Sequence, residues 1–356
     1  MSLAVERGPF PALPVTLEDV IAAAARIAPH VVTTPLLEAP LLSAELGFRL
    51  LLKAENLQLT GSFKLRGAFN QILQASEKEK RRGVVALSSG NHAQAVAYAG
   101  QKLGVPVTIV LPRDAPAIKV ARSRGYGADI VVYDREIDDR ETVARRVARE
   151  KGLRLIHPYD DPRTIAGQGT VGLEIFTQTE GRGMAPDAIL LSCGGGGLAA
   201  GVAITCDLYR RAPRIVTVEP AAFDDMRRSL LAGEVIASRK RSGSVCDALS
   251  AASPGAETFA ILRRSRAKGL AVSDRHVEAA MALAAGSFNV VLEPGGAAAL
   301  AGALTQRDEL VGGVAVVVAS GGNVDLDYFS AAIRRGAAYL RSAAESGRPP
   351  FGLSGL

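Results

Sequence analysis

Along most of this chain, short runs of Val, Ile and Leu alternate with longer alanine-rich stretches whose apolar positions recur at helical spacing. The short runs at 50–53, 84–87, 107–111, 130–133, 188–192, 215–218 and 314–319 predict strands. They are continuous rather than alternating, which is the pattern of strands buried on both faces. The longer stretches at 17–27, 62–75, 91–103, 118–125, 140–151, 163–176, 198–210, 274–285 and 327–340 predict helices. Thr16 ahead of Glu18 and Asp19, and Ser273 ahead of Asp274, are helix-start signals. Strands followed by helices over this length predict an α/β protein with parallel or mostly parallel sheets covered by helices. Such folds bind ligands at the carboxyl ends of strands, where loops meet helix N-termini.

Composition excludes several alternatives. With 48% hydrophobic and 22% charged residues, the chain is neither disordered nor a small disulfide-stapled scaffold. The absence of tryptophan and the 5% aromatic content argue against a function built on aromatic stacking. A formal charge of +6 is modest for 356 residues. The basic runs Arg239-Lys240-Arg241 and Arg263-Arg264-Ser265-Arg266 are short and lack interleaved aromatics, so they read as solvated surface and no nucleic-acid partner is expected. Cys193, Cys206 and Cys246 have no metal-ligand spacing and read as buried thiols in a reducing, cytoplasmic setting. The first ten residues contain no apolar core of a secretory signal. The uncharged stretch 188–206 approaches the length of a membrane span, but Gly194–Gly197 at its centre fit a strand, a tight loop and a helix instead. No membrane partner is expected.

The 37 glycines exceed the roughly 7% of an average protein, and many stand where predicted strands end. Gly194–Gly197 follow one strand and precede a helix, so several N–H groups could converge on one anion, most naturally a phosphate. The run is neither GxGxxG nor GxxxxGK[ST], which disfavours nicotinamide and nucleotide-triphosphate chemistry; a flexible loop is the alternative. Lys64, in Gly61-Ser62-Phe63-Lys64, falls one turn inside a predicted helix beside a phenylalanine. Desolvation there would lower its pKa and make it a Schiff-base nucleophile, while a surface lysine in a helix cap is the plainer reading. Ser88-Ser89-Gly90-Asn91-His92 opens another helix and offers N–H groups and hydroxyls to a carboxylate or phosphate, or simply caps the helix. His92 by itself reads as a packing or hydrogen-bonding residue. Ser320-Gly321-Gly322-Asn323 ends the last apolar run. Glu219 and Asp225, six residues apart around a turn, suit Mg²⁺ or Ca²⁺ or an acidic surface turn.

Taken together and in this order, these segments resemble the pyridoxal-phosphate-dependent serine/threonine dehydratase and serine racemase family, of the tryptophan-synthase β-subunit-like fold (fold type II). The motifs that carry the resemblance are GSFKLRGA, SSGNHAQA, HPYDDPRTIAGQGTVGLEI, GGGG, VEP, EPGGAAALA and SGGNVD, spread from about residue 16 to residue 340. The resemblance implies that Lys64 holds pyridoxal phosphate as a Schiff base and later takes the Cα proton, and that Phe63 packs on the cofactor ring. It implies that Gly194, Gly195, Gly196, Gly197 and Leu198 hold the phosphate, Asn91 the phenolic oxygen and Ser320 the pyridine nitrogen. Ser88, Ser89, Asn91 and His92 lie where the family grips the substrate carboxylate. Glu219, Asp225 and the carbonyl of Phe223 match the Mg²⁺ or Ca²⁺ site of racemase-like members.

The activity so implied is dehydration of L-threonine or L-serine to a 2-oxoacid and ammonia. Ser89, where dehydratases often carry alanine and racemases a second base, raises serine racemase as an alternative. Arg140 matches an arginine that can face a second carboxylate, which raises 3-hydroxyaspartate. His157-Pro158-Tyr159-Asp160-Asp161-Pro162 looks like the dehydratase form, with Tyr159 in the place of a cofactor-side asparagine in animal racemases. Asp247-Ala248 departs from the usual Asp-Gly, so backbone contacts there do not carry over. The resemblance further implies a homodimer, a large cofactor domain from 1–83 and 159–345, a small domain inserted at 84–158 and a tail at 346–356. No regulatory domain, and hence no isoleucine feedback through one, is expected.

Overall fold

The computed structural model describes residues 13–88, 90–113, 117–134, 136–240 and 242–345. The 346–356 tail therefore lies outside the described residues, as does Ser89.

Continuous apolar strands need cover on both faces, and the chain supplies it in two sheets. Six strands order as β1-β2-β10-β7-β8-β9: β1 is Leu36–Glu38, β2 Arg49–Lys53, β7 Ala188–Ser192, β8 Arg214–Pro220, β9 Lys268–Val272 and β10 Val314–Val318. Four more order as β5-β4-β3-β6: β3 is Val84–Leu87, β4 Val107–Pro112, β5 Asp129–Tyr133 and β6 Arg154–Ile156. Among the described residues, every pairing between these strands is parallel except β1 with β2.

Alternation decides which core each residue enters. In β10, Ala315 and Val317 join one apolar cluster with the helices Asp274–Ser287 and Pro294–Thr305, while Val316 and Val318 join the opposite cluster with Pro162–Glu180 and Gly197–Thr205. In the smaller sheet, Val84 and Ala86 pack toward the helices Lys64–Leu73 and Asn91–Leu103, and Val85 toward Arg140–Lys151.

Two of the expected helices have different ends in ways that bear on the site. The helix predicted from residue 62 begins at Lys64, because Ser62 forms a β-bridge with Gly321 and the Phe63 amide donates to Ser320 O at 3.2 Å. Lys64 is therefore the first helical residue, not one turn inside. The helix predicted over 198–210 stops at Thr205 and continues as a 3₁₀ turn, Cys206–Leu208.

A buried ion network anchors the Lys64–Leu73 helix. Arg66 engages Glu55 through two bonds of 2.8 Å and Glu174 through one of 2.7 Å, and Lys53 Nζ also reaches Glu174. Arg66, Glu55 and Lys53 are essentially solvent-free, so each charge depends on its partners. The three cysteines are free and buried. Among the described residues no helix is long and apolar enough to cross a membrane.

Candidate active site

Strands β7 and β10 are neighbours in parallel register, so the loops leaving their carboxyl ends, Gly194–Gly197 and Ser320–Asn323, stand side by side. The second loop is stitched to the segment before Lys64, since the Gly322 amide donates to Gly61 O at 2.9 Å and Asn323 Nδ2 donates to Thr60 O at 2.8 Å. This stitching sets Lys64 and Ser320 into the wall of one cleft of about 410 Å³. The Lys64 amine donates to Pro158 O at 2.8 Å and lies 5.1 Å from the Phe63 ring centre. Burial lowers it from 10.5 to about 8, with Cys193 acting weakly the other way.

At the glycine loop the backbone turns through Gly196, at φ +97°, into the Gly197–Thr205 helix. Among the described residues, the amides of Gly194, Gly195, Gly196, Gly197 and Leu198 donate to no protein acceptor, which leaves a run of free N–H groups at a helix start. Side chains would not fit at the last three of these glycines: a Cβ on Gly195 would lie 2.3 Å from the Tyr159 ring, one on Gly196 2.7 Å from Met226 Cε, and one on Gly197 2.9 Å from Tyr159 Cα. Further partners fix the loop from behind. The Gly255 amide and Thr258 Oγ1 both donate to Gly195 O, and the Asp160 carboxylate accepts the amides of Ala256, Glu257 and Thr258 at the start of the Ala256–Arg264 helix.

Ser88 and the start of the Asn91–Leu103 helix also line the cleft. The amides of Asn91 and His92 have no acceptor among the described residues. The His92 ring is turned to Ile156 O at 3.0 Å, and burial, with help from Lys64, lowers it to about 3. Its imidazole is thus neutral and structural, leaving its amide as the group an anion would meet. Asn91 is bracketed, its Oδ1 accepting from Asn323 at 2.8 Å and its Nδ2 donating to Glu293. The Asn91 Nδ2 group carries two protons, so one remains for a ligand.

The cleft thus brings together Phe63, Lys64, Ser88, Asn91, His92, Gly194, Gly195, Gly196, Gly197, Leu198 and Ser320. Ser89 and the Arg140 side chain lie outside what the structure describes. Glu141 and Arg145, on the helix that Arg140 begins, do line the cleft and pair at 3.9 Å. The glycine substitute Ala248 lines it as well.

Glu219, Phe223 and Asp225 are absent from the cleft wall. Glu219 accepts the amides of Met226 and Arg227 at 2.8 and 2.7 Å, while Asp225 Oδ2 is buried with no hydrogen-bond partner. Burial raises Glu219 well above the ordinary carboxylate range and Asp225 to about 6. Among the described residues no three His, Cys, Asp or Glu side chains form a metal cluster.

Sequence reasoning did not assign roles to His157, Asp160, Glu293, Glu141 or Arg145. Asp160 could be found only by folding, since its partners lie 96 to 98 residues away.

The family model for pyridoxal-phosphate dependent enzymes matches residues 27–321. L-threo-3-hydroxyaspartate ammonia-lyase of Saccharomyces cerevisiae is 40% identical over 318 residues, which are 89% of this chain and 96% of that protein. Serine racemase of Schizosaccharomyces pombe is 35% identical over 316 residues, 88% of this chain and 96% of that one. The crystal structure of a T.th. threonine deaminase superposes with a TM-score of 0.82 at 44% identity, covering 87% of this chain and 99% of that chain.

Proposed function

The chain belongs to the family of pyridoxal-phosphate dependent enzymes, and from that premise we propose that it is a β-hydroxy-amino-acid ammonia-lyase, converting L-threonine or L-serine to the 2-oxoacid and ammonia. The observation that carries the reading is a single cleft with a buried amine, Lys64, and two separate sets of unpaired amides, at Gly194–Leu198 and at Asn91–His92. One set fits a phosphate and the other a carboxylate.

The unpaired glycine amides, and the lack of room for any Cβ at Gly195 and Gly197, fit pyridoxal phosphate. When bound, the cofactor supplies an electron sink that acidifies the Cα–H bond of an amino acid. Lys64 anchors it through its amine in the resting enzyme. The free Lys64 amine would take the Cα proton, and a value near 8 gives it a far larger neutral fraction near neutral pH than an ordinary lysine has. The Asn91 and His92 amides would hold the substrate carboxylate, Phe63 would pack against the cofactor ring, and Asn91 Nδ2 would hold its phenolic oxygen. Ser320 offers the pyridine nitrogen a neutral hydroxyl rather than a carboxylate. A neutral partner there would make the cofactor a weaker electron sink than a carboxylate partner would.

Residues 84–158, which contain all four strands of the smaller sheet, form in this reading an inserted domain whose closure on the cleft excludes water. Glu219, Asp225 and the Phe223 carbonyl would hold Mg²⁺ or Ca²⁺ behind the glycine loop, supported by the unpartnered Asp225 Oδ2. A homodimer would cover the exposed Leu57, Leu59 and Val291. Three free buried thiols fit a reducing, cytoplasmic setting.

A second reading, 3-hydroxyaspartate as substrate, is favoured by Arg145, a cation in the cleft wall that could meet a second carboxylate. A panel of L-serine, L-threonine and both 3-hydroxyaspartates, with 2-oxoacid release and chirality measured together, separates these. Turnover of L-serine or L-threonine to 2-oxoacid supports the first reading, and confinement to a 3-hydroxyaspartate supports the second. Conversion of L- to D-serine without oxoacid would show a racemase and overturn both.

A further inference from the structure

The peptide group between Pro158 and Tyr159 is engaged at both ends. Its carbonyl accepts from Lys64 Nζ at 2.8 Å. Its N–H donates to His157 Nδ1 at 3.4 Å, and the next amide, of Asp160, donates to the same nitrogen at 2.8 Å. No described peptide bond is cis, and in a planar trans peptide the N–H and C=O point in opposite directions. The ring that holds the amide therefore fixes where the carbonyl aims.

His157 is held in turn. Its carbonyl accepts from Thr164 Oγ1 at 2.9 Å, and its ring meets Tyr159 edge-on with centroids 4.8 Å apart. Accepting two N–H groups needs a lone pair at Nδ1, so the imidazole is neutral with its proton on Nε2. The titratable groups acting on Lys64 and this turn are Cys193 after β7, His92 at its helix start, and Glu141, Asp160 and Asp161 beside His157.

We propose that His157 is a positioning residue for Lys64, acting through the Pro158–Tyr159 peptide. It aims the Pro158 carbonyl so that the Lys64 amine, whenever it is not joined to the cofactor, is tethered by one N–H and keeps its lone pair in a fixed direction. An amine so held presents a preset geometry for taking a proton instead of swinging on four methylenes. The proposal rests on the reading of Lys64 as the cofactor-bearing residue and proton acceptor, and not on any particular substrate.

Two measurements test it. In the cofactor-free full chain, the pH dependence of Lys64 acylation, read by peptide mass spectrometry, reports the amine itself. In the holoenzyme, exchange of the Cα hydrogen of L-alanine into D₂O reports proton transfer without a leaving group. His157→Leu loses the acceptor and lets the carbonyl turn away. Because that carbonyl favours the charged amine, the acylation midpoint should fall by about one unit, while exchange slows about tenfold or more for a misplaced base. His157→Asn, whose side-chain oxygen can accept the same two amides as an Asx turn, should keep the midpoint and restore most of the exchange.

An unchanged midpoint and exchange rate in His157→Leu would overturn the proposal. So would an upward shift toward the ordinary lysine value, which would mean that the ring only keeps water out. If the leucine variant does not fold, His157→Asn decides alone: loss of exchange overturns, and retention with an unshifted midpoint supports. An error in the substrate assignment would leave both measurements intact. An error in the cofactor assignment would appear earlier, as absence of the cofactor's absorbance.

Discussion

At the first position of its helix, Lys64 carries an amine that burial lowers from 10.5 to about 8. A basic group lowered on folding destabilises the folded chain, because below its folded value it must be charged where charge is disfavoured. Between about 8 and 10.5 the unfolded chain holds one proton more than the folded one, so stability rises with pH across that window. Lys64→Met keeps the volume and removes the charge. In the cofactor-free protein it should raise stability below pH 8 by up to about 3 kcal/mol, with the advantage vanishing toward pH 10.5. Urea melts of both proteins at several pH values check this; a destabilising, pH-independent effect would contradict it. At this scale the sequence singled out residues that the structure brings to one cleft wall, Lys64 and the glycine run among them. It was silent where a residue acts on a distant backbone, as Asp160 does, because no local pattern records such a partner.

The glycine loop and its helix act as one element, and their geometry is set by Tyr159 as much as by the glycines. Gly197→Ala would press a Cβ against Tyr159 backbone atoms at 2.9–3.0 Å, and backbone cannot swing aside. The helix start must then shift and its amides lose their aim. Cofactor affinity should fall roughly tenfold or more, an effect of about 1.4 kcal/mol, with the fold retained. Gly286→Ala, remote from the cleft and with nothing within 4 Å of the added carbon, should leave affinity unchanged. Equilibrium titration of the cofactor absorbance measures both, and equal affinities would contradict the account. Most of the longer elements were legible from their period or β-branched runs, but the strand Lys268–Val272 and the helices Asp225–Ala232 and Ala256–Arg264 were not. The three-residue strands β1 and β6 were too short to register. The Pro294–Thr305 helix is buried on every side and carries no polar face, so the periodic signal of a helix was never written into it.

For the whole molecule, alternating apolar runs were enough to predict two-faced parallel sheets, but not how those sheets divide the chain or that β1 runs antiparallel. Strand order depends on contacts between segments hundreds of residues apart, as between β2 and β10. What that order achieves is convergence: loops leaving β7 and β10, the Lys64 helix and the Asn91 helix all open on one cleft. The net charge of +6 has no part in this, because the proposed anion sites are built from backbone amides. The central claim is that this convergence places the cofactor on Lys64. Borohydride reduction of the protein loaded with pyridoxal phosphate, followed by proteolysis and mass spectrometry, tests it directly. The account predicts the cofactor mass on the peptide containing Lys64, and its absence from that position in Lys64→Ala. A cofactor mass fixed at another lysine, or unchanged trapping in Lys64→Ala, would contradict it.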